Sequence, residues 1–315
     1  MVTQEVHARL RSEWGKVLVG QEQALDLLYI ALLVGGHVLI EGVPGTAKTL
    51  MAKTLARLIR GNFKRVQFTP DLMPSDITGT TVFDFQSGAF RLKEGPVFTN
   101  VLLADEVNRA PAKTQSALLE AMEERQVTID GESRPLPPLF ITLATENPIE
   151  YEGTYPLPEA QLDRFLFKVT IPYMTQDQET ELLMRYHRGF DARNLDAAGL
   201  EPVVEESRLR ECVREVGQVT VEPVLAQYIT AITHATRRAP DLALGASPRA
   251  SVALLLASRA VAAVDGRPYV QPDDVKYIAP YVLSHRVILR PEAQLEGLSG
   301  EDAVKAVLAS VEVPR

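Results

Sequence analysis

Hydrophobic residues in the first half of the chain alternate between short apolar runs and longer segments of helical spacing. Residues 38–40, 101–104 and 139–144 form largely apolar runs that are bounded by turn residues. Such runs are typical of parallel strands that are buried on both faces of a sheet. A shorter run near residues 66–68 predicts a further strand. Apolar positions three and four residues apart predict helices over residues 4–35, with a break at 19–21, and over 49–60 and 111–125.

Two segments of this half predict β-hairpins. Residues 83–92 contain two alternating runs around a Ser-Gly turn, and residues 126–136 contain two runs around Asp-Gly. Alternation on both sides of a glycine-containing turn is a typical hairpin signal. Pro70 and Pro74 are expected to break any helix between strand 66–68 and the first hairpin.

Strand signals fade after about residue 175, and helical spacing takes their place. The predicted helices cover residues 175–188, 207–217, 222–238, 248–264 and 272–286. The stretch 191–206 has the composition of a linker. The pattern therefore predicts an α/β domain over residues 1–172 and an all-helical region over residues 173–315.

Composition and charge restrict the class of protein. The chain has 315 residues, of which 33 are basic and 41 acidic, and its net charge of −8 argues mildly against nucleic acid as the main partner. Its single cysteine, Cys212, permits no internal disulfide and suits a reducing compartment. The five histidines show no metal-ligand spacing, and no apolar segment is long enough to span a membrane. We expect a cytoplasmic protein without membrane insertion, because the first residues also lack the pattern of a signal peptide.

The segment that follows the first apolar run carries the most specific chemistry. Residues 42–49 read Gly-Val-Pro-Gly-Thr-Ala-Lys-Thr, between a predicted buried strand and a predicted helix. Backbone N–H groups of such a loop cradle the β- and γ-phosphates of a nucleotide, while the lysine neutralises phosphate charge and the threonine hydroxyl ligates Mg²⁺. The alternative is an ordinary Gly/Pro turn before a helix. The expected nucleotide contacts from this segment are Gly42, Val43, Pro44, Gly45, Thr46, Ala47, Lys48, Thr49 and Leu50.

Ala47 departs from the strict loop pattern, which has glycine at this position. An alanine is expected to require a negative φ there, so on the loop alone the match is weaker than ideal.

Polar residues follow two other predicted strands. Asp105 and Glu106 end the run 101–104, and this arrangement lets the first acid reach Mg²⁺ while the second polarises an attacking water. A solvated turn is the alternative. Asn147 follows the run 139–144 and could bond the γ-phosphate or the water through its amide, or simply form a turn before Pro148.

The order of these elements resembles the AAA+ ATPases. Glu-Val-Asn-Arg-Ala-Pro at 106–111, Ala-Thr-Glu-Asn-Pro at 144–148, Pro-Glu-Ala-Gln-Leu-Asp-Arg-Phe at 158–165 and Gly-Ala-Ser-Pro-Arg-Ala at 245–250 resemble the MoxR family within them. The resemblance covers residues 17–290 approximately, and alanine before the loop lysine is a common form in this family. It implies a P-loop AAA+ core with a central parallel sheet and β-hairpin inserts, followed by an all-α lid domain.

The resemblance also implies roles for single residues. Val19 and Gly20, with the following Gln21, resemble the segment that packs on adenine. Thr49 and Asp105 would hold Mg²⁺. The remaining implied roles are the catalytic base for Glu106, sensor 1 for Asn147, the arginine finger for Arg164, sensor 2 for Arg249 and a second intersubunit arginine for Arg109.

The function that the resemblance implies is Mg-ATP-dependent hydrolysis by a ring, expected to be a hexamer. Such proteins resemble chaperones that remodel or activate partner proteins, some of which carry von Willebrand factor A domains. The two hairpins would then face the pore or a partner, and Phe83, Phe85 and Phe90 either contact a client or pack within the hairpin. Three alternatives remain open: the motor subunit of a metal chelatase, a nucleotide-gated scaffold with little turnover, and a DNA-remodelling motor.

Overall fold

The computed structural model describes residues 1–43, 45–86, 88–146, 155 and 157–314. In this part of the chain the strands fall into one parallel sheet and three small two-stranded pairs. Their bounds in chain order are β1 Val38–Glu41, β2 Phe63–Gln67, β3 Gly79–Asp84, β4 Ala89–Glu94, β5 Val101–Asp105, β6 Gln126–Ile129, β7 Glu132–Pro135, β8 Ile141–Glu146, β9 Phe167–Thr170, β10 Leu242–Leu244 and β11 Ile288–Leu289.

The parallel sheet has the strand order β2-β5-β8-β1-β9. Side chains of β1, β5 and β8 alternate between two hydrophobic cores: Ile40, Leu103 and Leu143 join one, and Leu39, Leu102 and Ala144 join the other. Both faces are therefore covered, as expected for a parallel sheet. The four strands predicted from apolar runs are confirmed, with β2 beginning three residues earlier than expected.

The edge strand β9 was not predicted. Its residues Phe167, Lys168, Val169 and Thr170 alternate between buried and more exposed positions, in place of a continuous apolar run. An edge strand has one neighbour, here β1, so its sequence need not look like that of a central strand. Both predicted hairpins are confirmed, as β3 with β4 and β6 with β7.

Helices cover the sheet and make up most of the second half, which was predicted to be all-helical but also contains the short strand pair β10 and β11. Pro74 occupies the first turn of a short helix, where its missing N–H costs nothing, so the prediction that it breaks any helix was wrong. The α-helices in chain order are α1 Val2–Trp14, α2 Glu22–Val34, α3 Lys48–Leu58, α4 Pro74–Thr78, α5 Ala112–Glu124, α6 Glu159–Leu162, α7 Gln176–His187, α8 Glu206–Gln218, α9 Pro223–Thr236, α10 Pro248–Val264, α11 Pro272–Leu283, α12 Pro291–Leu295 and α13 Gly300–Ser310.

The two halves share one hydrophobic core. Helices α1 and α2 belong to the predicted first domain, yet they contact α8 and α10 of the second half. The stretch 191–206 is irregular but is not a free linker, because Val203 and Val204 are buried and their N–H groups donate to the Leu58 carbonyl. A division after residue 172, just beyond the end of β9, stays a proposal. In the described part of the chain, no helix is both long and apolar enough to cross a membrane.

Candidate active site

The loop between β1 and α3 is held by its own hydrogen bonds. The Lys48 ammonium donates to the Gly42 carbonyl at 2.5 Å, and the Thr46 hydroxyl donates to the Val43 carbonyl at 3.0 Å. Burial lowers the pKa of Lys48, while Asp105 and Glu106 oppose this shift. Pro44 lies outside the described residues. These two bonds tie Thr46 and Lys48 to the start of the loop.

Ala47 adopts a left-handed conformation, with φ 62° and ψ 19°, immediately before the first residue of α3. The expectation that alanine requires a negative φ here was wrong. The position keeps the geometry that favours glycine, and the Cβ of alanine raises its energy by about 1 kcal/mol. The chain tolerates this strain because α3 and the loop bonds hold the residue on both sides.

Asp105 ends β5 with both carboxylate oxygens already bonded. Its Oδ1 accepts from the Thr145 hydroxyl at 2.6 Å, and its Oδ2 accepts from Arg65 Nε at 3.0 Å and Nη2 at 2.7 Å. Thr145 lies on the neighbouring strand β8, and Arg65 lies on β2 on the other side. Parallel pairing thus places one donor on each side of the acid.

Glu106 follows Asp105 in a left-handed conformation with φ 57°. Its N–H donates to the Thr145 hydroxyl at 2.9 Å. Its Oε2 accepts from Gln67 Nε2 at 2.7 Å and from Arg109 Nη1 at 2.9 Å. The backbone turn and the two donors therefore hold the carboxylate in one orientation beside the loop.

A cavity of about 520 Å³ lies between the loop, the two acids and α7. This volume is within the range of about 300–1,000 Å³ that small-molecule sites occupy. One end is polar, with the loop, Arg65, Gln67 and the two acids. The other end is apolar, and its lining includes Val17, Leu18, Val19, Met174, Leu182, Tyr186 and Phe190. The arrangement offers phosphate contacts at one end and a surface for a flat ring at the other.

Gly20 adjoins the apolar end of this cavity, next to the lining residue Val19. It has φ 69°, and a Cβ atom added there would lie 2.2 Å from Gln178 Nε2. The positive φ favours glycine at this position, and a larger residue would also require the end of the Gln178 side chain to move. The buried Gln21 accepts a hydrogen bond at its carbonyl from Trp14 Nε1 at 3.1 Å.

Asn147 lies outside the described residues, so its assignment stays a prediction. The preceding residue, Glu146, ends β8, and burial raises the pKa of its carboxyl group. Lys168 opposes the shift, and its ammonium lies 3.2 Å from the Glu41 carboxylate.

Arg164 and Arg249 meet at a second cavity, which shares no lining residue with the first among the described positions. Arg164 Nε lies 2.9 Å from Glu123 Oε2, and Arg249 Nη2 donates to Glu123 Oε1 at 2.8 Å. His37 lines the same cavity and precedes β1. The pair therefore lies at the amino edge of the sheet, whereas the loop and the acids lie at its carboxyl edge.

Comparison with known proteins decides the family. Residues 37–167 match a model of the ATPase family associated with various cellular activities (AAA), and residues 234–307 match an AAA lid domain. Chaperone MoxR1 of Mycobacterium tuberculosis is 42% identical, over 99% of this chain and 84% of its own length. The chain belongs to the MoxR family of AAA+ ATPases. As a member of this family, it binds nucleotide and hydrolyses ATP.

Two further proteins are similar to this MoxR-family ATPase over nearly its whole length. The uncharacterized protein YeaC of Bacillus subtilis is 46% identical, over 95% of this chain and 92% of its own length. A crystal structure of a proposed ATPase from Cytophaga hutchinsonii has a TM-score of 0.90 and 41% identity, and the match covers 100% of this chain and 97% of that one. The predicted AAA+ fold with a helical lid is confirmed.

The donor set of the cavity fits a magnesium nucleotide. Thr49 and Asp105 both line it, and Asp105 Oδ1, which accepts from Thr145, has a second lone pair that a cation could use. Mg²⁺ prefers one or two such oxygens while keeping waters and substrate phosphates. Among the described residues, no group of three acidic, histidine or cysteine side chains forms a separate metal site. The pair of Thr49 and Asp105 suits a cation that is also held by the phosphates of its substrate.

Several site residues were missed from the sequence. Arg65 precedes the strand predicted near residues 66–68 and Gln67 lies within it, and neither was given a role, although a polar residue at the carboxyl end of a parallel strand is a usable signal. The register pairs Gln67 with Asp105. Glu123 carries no local signal, because its partners are brought to it only by folding.

Proposed function

We propose that this MoxR-family ATPase acts as a closed ring, with six subunits as the resemblance implies, in which each Mg-ATP site is completed by the neighbouring subunit. The observation that carries the proposal is the position of Arg164 and Arg249 at the sheet edge opposite the loop. Leu166 N–H donates to the His37 carbonyl at 2.8 Å, so the segment that follows Arg164 pairs with the residue before β1.

The length of β1 separates the arginine pair from the loop of the same subunit. Four residues of strand span about 13 Å. The turns at both ends add to this distance. The total is therefore greater than the length of an extended arginine side chain. A second subunit that brings its loop cavity against the amino edge would supply the missing phosphate to both arginines.

The residues of the cavity beside loop 42–49, the loop cavity, then have distinct roles. Lys48 neutralises phosphate charge, and Glu106, held by Gln67 and Arg109, polarises the attacking water. Mg²⁺, when bound through Thr49 and Asp105, would neutralise charge on the transferred phosphoryl group. The neighbour's Arg164 would stabilise the charge that develops as the γ-phosphate leaves, and Arg249 would contact the same group. Catalysis by this arrangement depends on assembly.

We further propose that hydrolysis drives remodelling of partner proteins, including proteins with von Willebrand factor A domains. The name of the relative Chaperone MoxR1 supports this proposal. The β3–β4 hairpin supports it as well, because Phe85 and Phe90 are 90% and 74% exposed and both rings contact Phe83. Exposed aromatic clusters of this kind often mark sites that contact other proteins.

Mixing two inactive variants tests the shared site. Lys48→Ala removes the phosphate contact of a subunit's own cavity, and Arg164→Ala removes the arginine given to its neighbour. Each variant alone is expected to hydrolyse ATP at background rates, because every site lacks one group. The mixture should recover part of the wild-type rate, since a Lys48→Ala subunit can donate Arg164 to an intact cavity.

The control mixes Lys48→Ala with Glu106→Gln, whose defects fall in the same cavity and should not complement. If the mixture of Lys48→Ala and Arg164→Ala stays inactive while sizing chromatography shows mixed assembly, Arg164 does not act across an interface.

A further inference from the structure

Glu123 lies near the end of α5, and its carboxylate is shared between two arginines. Each oxygen serves one guanidinium, at 2.9 Å for Arg164 and 2.8 Å for Arg249. The side chains of Arg164, Glu123 and Arg249 are 31%, 36% and 52% exposed, so the cluster is open to a neighbour. A guanidinium has five N–H donors, and Glu123 engages one nitrogen of each arginine. The bridge therefore leaves donors on both arginines for a phosphate.

The backbone around Arg164 is tied to the second half of the chain. Arg286 follows α11 and is nearly fully buried. Its guanidinium donates to the Asp163 carboxylate at 2.6 Å and to the carbonyls of Asp163 at 3.0 Å, Phe165 at 2.6 Å and Leu166 at 3.0 Å. The segment that carries Arg164 is therefore bonded both to the helical lid, through Arg286, and to the core, where Leu166 N–H donates to the His37 carbonyl.

Arg249 belongs to the lid itself. It lies in the first turn of α10, and the hydroxyl of Ser247, just before that helix, donates to Asp163 Oδ2 at 3.2 Å. Glu123 belongs instead to α5, which is anchored to the sheet, because the Met122 carbonyl accepts from His37 Nε2 at 3.1 Å. One carboxylate of the core thus contacts Arg249 of the lid and Arg164, whose segment is bonded to both lid and core.

We propose that Glu123 is the positioning residue that holds Arg164 and Arg249 together as one receptor for the neighbour's γ-phosphate. Two guanidinium groups repel each other, and a shared carboxylate offsets this repulsion at close range. Arg249 lies on a lid helix, whereas Glu123 and the strand that follows Arg164 belong to the core, so rotation of the lid relative to α5 would break the contact of Arg249 and separate the two arginines. This inference rests on the proposed intersubunit role of the two arginines.

The substitution Glu123→Gln tests the inference with little change of shape. An amide has one acceptor oxygen, and its NH₂ group faces a guanidinium without being able to accept from it. We expect kcat to fall roughly tenfold, as misplacement of a charge-stabilising group does, with KM for ATP unchanged. The unchanged KM follows because ATP binds the subunit's own loop. Glu124→Gln, on the exposed neighbouring position of α5, is the matched control and should retain the wild-type kcat.

Complementation separates positioning from a purely structural role. Glu123→Gln subunits mixed with Lys48→Ala subunits should recover turnover, because the latter donate an intact arginine pair to an intact loop. Mixed with Arg164→Ala, they should not recover, since both defects lie on the donating side. Recovery with Arg164→Ala, or none with Lys48→Ala, would overturn the inference.

The two proposals fail in distinguishable ways. If Arg164→Ala is inactive but Glu123→Gln turns over at the wild-type rate, the role of Glu123 is refuted and the shared site stands. If Arg164→Ala itself keeps full turnover, the shared site is refuted first.

Discussion

His37 offers a quantitative test of the packing around the second cavity, which Arg164 and Arg249 line. Its ring is fully buried, and Nδ1 accepts from the Thr142 N–H at 2.9 Å while Nε2 lies 3.1 Å from the Met122 carbonyl. The two partners require the neutral ring with its proton on Nε2. Burial lowers the pKa of His37 to about 4.

The sign of the pH effect follows from linkage. The unfolded chain binds a proton at His37 below about pH 6.5, whereas the folded chain does so only near pH 4. The stabilising contribution of the neutral ring is therefore complete above pH 6.5 and is lost as the pH falls towards 4. The difference between the two pKa values of His37 corresponds to about 3 kcal/mol in the free energy of unfolding. About 2 kcal/mol of this is lost between pH 7.5 and pH 5.

The measurement compares urea unfolding of the wild type and His37→Asn at pH 7.5 and pH 5, followed by circular dichroism. Asparagine keeps an acceptor for Thr142 and cannot titrate. At pH 7.5 the wild type should be the more stable, and this advantage should shrink by about 2 kcal/mol at pH 5. His187→Asn, on an exposed position of α7, controls for removal of a histidine. An advantage of equal size at both pH values would refute the reasoning.

Three further predictions concern the loop cavity and the hairpin. Gln67→Ala should lower kcat roughly tenfold or more without weakening nucleotide binding, because Glu106 loses a donor that orients it. A loss of nucleotide affinity as large as the loss of kcat would contradict this. Ala47→Gly should raise the free energy of unfolding, measured in urea, by up to about 1 kcal/mol. A variant that is less stable than the wild type would show that the φ of 62° carries no strain. Glu106→Gln with ATP should retain client proteins, and adding Phe85→Ser should release them while oligomer size stays unchanged; equal retention would exclude the hairpin.

Local patterns predicted the parts of the site that lie at one edge of the sheet. The loop residues 42–49 are contiguous, and Asp105 and Glu106 follow directly after a buried strand. Parallel strands present their carboxyl ends at a common edge, so strand order was not needed to expect these groups together. The conformation of Ala47 was misjudged, because residue preference sets an energy cost and the surrounding contacts determine whether the chain accepts it.

Elements whose sequence is short or half-exposed were harder to predict. The edge strand β9 has one strand neighbour and an alternating pattern, and α4 begins at a proline that is usually a breaker. Both are stabilised by what they pack against. The apolar end of the cavity also depends on packing, since Leu182 and Tyr186 lie on α7, far along the chain from Val17, Leu18 and Val19, which line the same cavity.

The sequence by itself determined that this chain carries a nucleotide loop with two acids on an α/β core, because each of these features is encoded within a few consecutive residues. Only the tertiary structure decided where the arginines lie. Glu123 and Arg249 are 126 residues apart, and they meet because the lid folds back onto the amino edge of the sheet. Local spacing carries no information on such a contact, since it depends on long-range packing of the whole chain.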